Sequence, residues 1–179
     1  YKDYGISTDE PFHRTSGFYW YLFIIDNLFT NSVILEDLKK AFSNMEWAEL
    51  FLNNNGVEKE GHDNHLYGVT FDLFAAYIET KLNLKNYQNI YFLKHFLNFS
   101  VFYSSSIVFF YLIKLRFNSS FLSFLAFLFY ITSPRIFAES FYNSKDIIFM
   151  SFMVFAIFFG IKLLKNNKIK NIIFFSLFC

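Results

Sequence analysis

Two acidic positions carry the chemistry this chain can be asked to do. Asp9 and Glu10 are adjacent and precede Pro11, and Asp146 stands at the head of an apolar run. Pro11 suits the first turn of a helix and disfavours helical geometry at Glu10, so the acidic pair is expected at or just before a helix N-terminus. The helix dipole there favours the carboxylate form. An ionised Asp near water, without a fixed counterion, can accept a proton from an attacking hydroxyl. The competing reading is an N-cap, for which Asp is equally suited. Asp146 carries the same pair of readings, a cap or a functional acid, because an acidic residue at a membrane boundary is costly unless it is hydrated, paired or used.

Asp146 closes a second polar stretch, Ser133-Pro134-Arg135 through Asn143-Ser144-Lys145. Arg135 and Lys145 are cations at the expected depth of a lipid phosphate, and an arginine fork can take phosphate oxygens bidentately. Headgroup contact, or pairing with Glu139 and Asp146, is the alternative for both. His62, Asp63 and His65 fall close together and, with Asp9, offer a His and carboxylate set for Zn²⁺ or a similar ion; plain solvent contact is the alternative. His13 and Arg14 follow the acidic pair by one turn and can orient it, although surface placement is the simpler expectation. His95, beside Lys94, is expected to anchor the interface.

The elements that position these groups follow from charge and length. Hydrophobic residues make up 54% of the chain, yet charge is segregated: residues 1–91 hold 13 Asp/Glu against 7 Lys/Arg, and 92–179 hold 2 against 9, so the net +1 conceals an acidic part and a basic one. That pattern fits an aqueous segment, 1–91, joined to membrane spans within 92–179. Uncharged runs place spans at about 96–113, 117–133 and 147–164, the last with Lys162 snorkelling, and a shorter apolar run at 172–179 that reads as a truncated one. Lys114 and Arg116 follow the first span, and Lys162, Lys165, Lys168 and Lys170 border the third, with no acidic residue among them. The positive-inside rule makes both loops cytoplasmic, which places residues 1–91 and the loop 134–146 outside.

The outer segment shows helical periodicity in Ile34, Leu38, Ala41, Met45, Ala48 and Leu52, and again in Phe71, Phe74, Ala75, Ile78 and Leu82. Two amphipathic helices parallel to the membrane are expected, together with a short interfacial helix at 18–25 whose Tyr19, Trp20 and Tyr21 suit headgroups. The fold class is therefore all-α, a multi-spanning transmembrane helical protein with a large external first loop. No phosphate-cradling glycine motif is present, which argues against nucleotide-driven chemistry in these residues, and no nucleic-acid partner is expected. A lone terminal Cys179 supports neither a disulfide framework nor a thiolate metal site. The chain opens on Tyr1 and stops within an apolar run, as a piece of a longer membrane protein does.

Three stretches taken in order carry a resemblance: Tyr4-Gly5-Ile6-Ser7-Thr8-Asp9-Glu10, then Tyr67-Gly68-Val69-Thr70-Phe71-Asp72-Leu73-Phe74, then Ser133-Pro134-Arg135 to Asn143-Ser144-Lys145-Asp146. Together they resemble the bacterial integral-membrane glycosyltransferases of the GT-C type, and within them the branch of protein O-mannosyltransferases and aminoarabinose transferases. The resemblance implies a bacterial inner-membrane enzyme with its site on the periplasmic face and a sugar donor carried on polyprenyl phosphate. It further implies Asp9 as catalytic base, Glu10 assisting acceptor or donor, Asp146 as the second acidic position, and Arg135 with Lys145 at the donor phosphate. Where aminoarabinose transferases carry a Glu-Lys-Pro-Pro type motif, this chain departs from it and reads His65-Leu66-Tyr67-Gly68; His65 and Tyr67 are the substrate-binding candidates in this stretch. Metal use differs among such enzymes, so a divalent ion at Asp63 and His65 stays open, as does the acceptor, whether glycan, lipid or protein. The step implied is displacement at the anomeric carbon with inversion, the lipid phosphate leaving as Asp9 takes the hydroxyl proton. A multi-spanning transporter with an external acidic site is the alternative, although the expected spans contain no Asp or Glu and no internal Pro.

Overall fold

The computed structural model describes residue 7 and residues 9–28, 33–45, 48, 69–166 and 168–179. These residues are all-helical, with no strand among them. They divide into two compact units, residues 2–94 and 95–179.

The unit of residues 2–94 contains α1 (Glu10–Leu28), α2 (Val33–Ser43), α3 (Thr70–Lys81) and the opening turns of α4 (Tyr87–Phe117). α1 absorbs the expected interfacial helix at 18–25 into a 19-residue helix, because the helix already begins at Glu10 with Pro11 in its first turn. It does not stand alone: Phe18 and Leu22 are buried against Leu38 and Phe42 of α2 and Ala76 of α3. Tyr19 meets Phe42 at 6.3 Å between ring centroids, and Tyr21 meets Tyr77 at 6.1 Å. At the α1–α3 crossing Gly17 is buried with no side chain in the way.

α3 buries part of its apolar stripe together with two carboxylates. Phe71, Asp72, Ala75, Ala76 and Glu79 are buried, while Phe74 and Leu82 of the expected stripe are exposed. The reason is ionic pairing, set out below, which turns two carboxylates inward. The helix ends at Asn83, whose φ of 49° is left-handed. Asn83 N–H donates to Thr80 O at 3.1 Å and Leu84 N–H to Glu79 O at 3.3 Å, the paired bonds of a Schellman cap. Only Gly and, less readily, Asn or Asp adopt that geometry at small cost. Asn83→Val is therefore expected to lower stability by about 1–2 kcal/mol, read by thermal unfolding, and Asn83→Gly to leave it nearly unchanged.

The unit of residues 95–179 contains the rest of α4, then α5 (Ser120–Thr132), α6 (Pro134–Tyr142), α7 (Asp146–Lys165) and α8 (Ile169–Phe178). α4, at 31 residues, and α7, at 20, are long and apolar enough to cross a membrane, and the bent pair α5 and α6 makes a third crossing if counted as one span. α4 ends at Asn118, again left-handed with φ 51°, whose N–H closes on Lys114 O at 2.9 Å. Ser119 then caps α5 by accepting from Leu122 N–H at 3.3 Å, so two residues suffice to reverse the chain.

The expected straight span over 117–133 is corrected here. α5 is 13 residues long, and the pair with α6 bends by 59°. Pro134 has no N–H and forces Ser133 into an extended ψ of 114°, which breaks the ladder. The stretch expected as a loop over 134–146 is instead largely α6, with Pro134 in its first turn and an Arg135–Glu139 pair one turn apart. Phe137 and Phe141 hold α6 to α4: Phe99 stacks on Phe141 at 4.9 Å and meets Phe137 edge-on at 6.3 Å. Further along α4, Tyr130 stacks on Phe102 and Phe109, and its hydroxyl lies 3.1 Å from Ser105 Oγ. Buried serines at 105, 106, 123, 140 and 151 suit close packing of apolar helices. α8 folds back on α7 through Phe178 against Phe152 and Phe155, and Asn171 Nδ2 ties the turn by donating to Asn166 O at 2.9 Å.

Candidate functional site

Ser7, Asp9 and Glu10 form the head of α1. Glu10 N–H donates to Ser7 O at 3.2 Å, and Ser7 N–H donates to Glu10 Oε2 at 2.7 Å. The Glu10 carboxylate thus satisfies a backbone N–H just ahead of the helix, while its own N–H closes a backbone turn on Ser7, so the side chain that seals the helix entrance is Glu10. Its side chain is accordingly 2% exposed. Asp9 is different. It is exposed, its carbonyl accepts from His13 N–H at 3.0 Å, and it has no ion-pair partner among the described residues.

Behind this head lies a layer of buried charge that links α1, α3 and the start of α4. Arg14 reaches Glu79 with both edges of its fork, Nε to Oε2 at 3.1 Å and Nη2 to Oε1 at 2.5 Å. Burial by itself lowers the pKa of Arg14, but the hydrogen bond to Glu79 and its charge more than offset this, so the guanidinium stays charged with its pKa above the usual value. Phe18 and Tyr87 lie under that guanidinium at 5.5 and 5.6 Å. Asp72 sits between Lys94 Nζ at 3.0 Å and His13 Nδ1 at 3.8 Å. Asp72 Oδ1 and Lys94 Nζ are close enough for an ion pair, although out of line for a hydrogen bond. Next to the Arg14–Glu79 pair a cavity of about 680 Å³ opens, walled by Phe18, Leu38, Met45 and Ile90 and rimmed by Asp37, Asn83 and Lys85.

These pairs correct several expectations. Polarity alone predicts His13 and Arg14 at the surface, whereas both side chains are largely buried and paired with acids on α3. His95, expected at the interface, is buried, with 1% exposure. Asp72, Glu79 and Lys94 are charged residues that the sequence reading did not single out. A signal was available on α3: Asp72, Ala76 and Glu79 recur at the spacing of one helix face, the spacing of a buried stripe.

The second acidic position belongs to the unit of residues 95–179. Asp146 is the first residue of α7 and is exposed. Asn143 clamps it from both sides, accepting from Asp146 N–H at 2.9 Å and donating to Asp146 Oδ2 at 3.1 Å. The same Asn143 amide donates to Glu139 Oε2 at 3.3 Å, and Arg135 Nε donates to Glu139 Oε1 at 3.0 Å. Arg135, Glu139, Asn143 and Asp146 thus form one chain of contacts at the α6–α7 junction, with Lys145 exposed beside it. Arg135 is 89% exposed and uses its Nε edge for Glu139.

The expected positions His62, Asp63, His65 and Tyr67 lie outside the described residues. Among the described residues no group of three or more His, Cys, Asp or Glu side chains is arranged to hold a metal ion. Against known proteins, no family model matches this chain, and neither a curated protein nor a solved structure matches it.

Proposed function

We propose that this chain is part of a multi-spanning membrane glycosyltransferase of the GT-C type, with residues 1–91 as an external loop at the periplasmic face of a bacterial inner membrane. In this reading a sugar passes from polyprenyl phosphate to a hydroxyl of a glycan, lipid or protein, with inversion, and Asp9 is the general base. The observation that carries it is a contrast among carboxylates. Glu10 is committed to the Ser7 N–H, Asp72 to Lys94 and His13, and Glu79 to Arg14, while Asp9 is exposed at the head of the same helix with no ionic partner among the described residues. A base must be free to take a proton, and the committed acids fix the helix that presents it.

Two further features support the membrane part. Exposed Phe23 and Ile24 on α1, and Phe74 and Tyr77 on α3, give these helices apolar outer faces suited to lying at a bilayer surface. α4 and α7 send their C-terminal ends to one cleft, so the basic residues Lys114, Arg116, Lys162 and Lys165 gather at one end of their unit, as a cytoplasmic border requires. On this proposal Arg135 and Lys145 contact the donor phosphate, Asp146 is the second acid, and His65 and Tyr67 contact substrate; a divalent ion at Asp63 and His65 belongs to the same proposal.

The test is Asp9→Asn in the full-length protein, assayed in membranes for transfer of labelled sugar from a polyprenyl-phosphate donor. A loss of about a hundredfold or more, with unchanged membrane level, is expected, since general base catalysis contributes about 10² to 10⁴. Undiminished transfer by the Asn variant removes Asp9 from the mechanism. The transporter reading gains one observation of its own, the 59° break between α5 and α6, because discontinuous helices build binding sites in transporters. Solute uptake into sealed vesicles, without any new glycosidic bond, would decide for it.

A further inference from the structure

The unit of residues 95–179 holds a second cavity, of about 640 Å³, at its basic end. Tyr111, Lys114, Leu115 and Asn118 line it from the end of α4, and Phe158 and Lys162 from the last turns of α7. Both helices are long and apolar enough to cross a membrane, and the cavity lies where both approach their polar ends, the level of lipid headgroups.

The cavity has an excess of positive charge that nothing in its unit offsets. Residues 95–179 contain two acids, Glu139 and Asp146. Both are engaged with Asn143 at the opposite end of α7, some 16 residues and about 24 Å of helix from Lys162. Lys114 and Lys162 have no acidic partner among the described residues; each lies instead by an aromatic ring, Lys114 Nζ 6.0 Å from the Phe110 centroid and Lys162 Nζ 4.4 Å from that of Phe158. Two ammonium groups on separate helices call for an anion with several oxygens. Leu115, Phe158 and the ring of Tyr111 call for a hydrocarbon chain beside it.

We propose that this cavity is a binding site for an anionic phospholipid, its phosphate between Lys114 and Lys162 and an acyl chain along Leu115 and Phe158. Basic pockets between membrane helices take such headgroups because the ammonium charges meet phosphate in a partly desolvated setting. The site is independent of any sugar chemistry at Asp9.

The experiment uses the full-length protein in mixed micelles, with bound lipid read by native mass spectrometry. Phosphatidylglycerol is expected to be retained over phosphatidylcholine. Lys114→Gln and Lys162→Gln are each expected to lower its occupancy about fivefold, and the pair together more than tenfold. Lys168→Gln with Lys170→Gln, which removes the same charge outside the cavity, is expected to have little effect. Equal retention of the two lipids overturns the proposal, and so does an equal loss from the Lys168 and Lys170 pair, which indicates diffuse attraction. Competition by inorganic phosphate as strong as that by phosphatidylglycerol assigns the site to a free anion and overturns the lipid.

Discussion

Arg14→Met is expected to destabilise the unit of residues 2–94 by about 3–5 kcal/mol, because it strands the Glu79 carboxylate in a buried position. The pair itself is not worth that much. Bringing two charges out of water costs several kcal/mol per ion, and a bidentate geometry with its rings beneath returns roughly that amount. The penalty comes from asymmetry, since the surviving acid keeps its desolvation cost and loses its partner. Two comparisons isolate this cause. Glu79→Gln alone strands the guanidinium and is expected to cost a comparable amount, whereas Arg14→Met combined with Glu79→Leu is expected to recover most of the loss. Thermal or denaturant unfolding of the full-length protein in detergent reads all three. If the double variant is no more stable than either single one, the buried-charge explanation fails and lost packing accounts for the effect. Arg14 keeps its pKa above the ordinary value, so its contribution is fully present below that value and declines only as pH rises through the higher folded value.

That ionic layer also explains which parts of this molecule were legible from sequence. α4 and α7 announce themselves by uncharged length, and the caps at Asn118-Ser119 follow from local residue chemistry. The closure of the Glu10 carboxylate on the Ser7 N–H is equally local, since it joins residues three positions apart. The α5–α6 break turns on one pre-proline residue, Ser133, which hydropathy counts as an ordinary small polar residue at the end of a span. α6 is short, yet its periodicity is legible, with Phe137 and Phe141 one turn apart on one face and Arg135 and Glu139 one turn apart on another. The buried pairs are another matter. Arg14 and Glu79 are 65 positions apart, and each alone has the composition of a solvated helix face. The spacing of Asp72, Ala76 and Glu79 marks one face of α3, but nothing local says that Arg14, His13 and Lys94 are the groups that meet it.

Gly17→Ala should show the same layer from its backbone side. In the middle of a 19-residue helix, Gly is a liability, and replacing it by Ala ordinarily stabilises by about 0.5–1 kcal/mol. Here the sign is expected to reverse. A Cβ at Gly17 would overlap the backbone carbonyl of Asp72 and lie 2.9 Å from the Asp72 Cβ. Backbone cannot swing aside as a side chain can, so α1 must move away from α3, loosening the two ion pairs that bridge these helices and carrying the head of α1, with Asp9, out of place. A net loss of about 1–3 kcal/mol is expected from overpacking, more if the pairs part. Gly160 supplies the control within the same chain. A Cβ there meets only the Phe175 ring, at 3.1 Å, and a ring can rotate away, so Gly160→Ala is expected to be neutral or slightly stabilising. If Gly17→Ala raised the unfolding temperature as Gly160→Ala does, α1 and α3 would not cross as closely as described, and the register that aligns Arg14 with Glu79 would have to be abandoned with them.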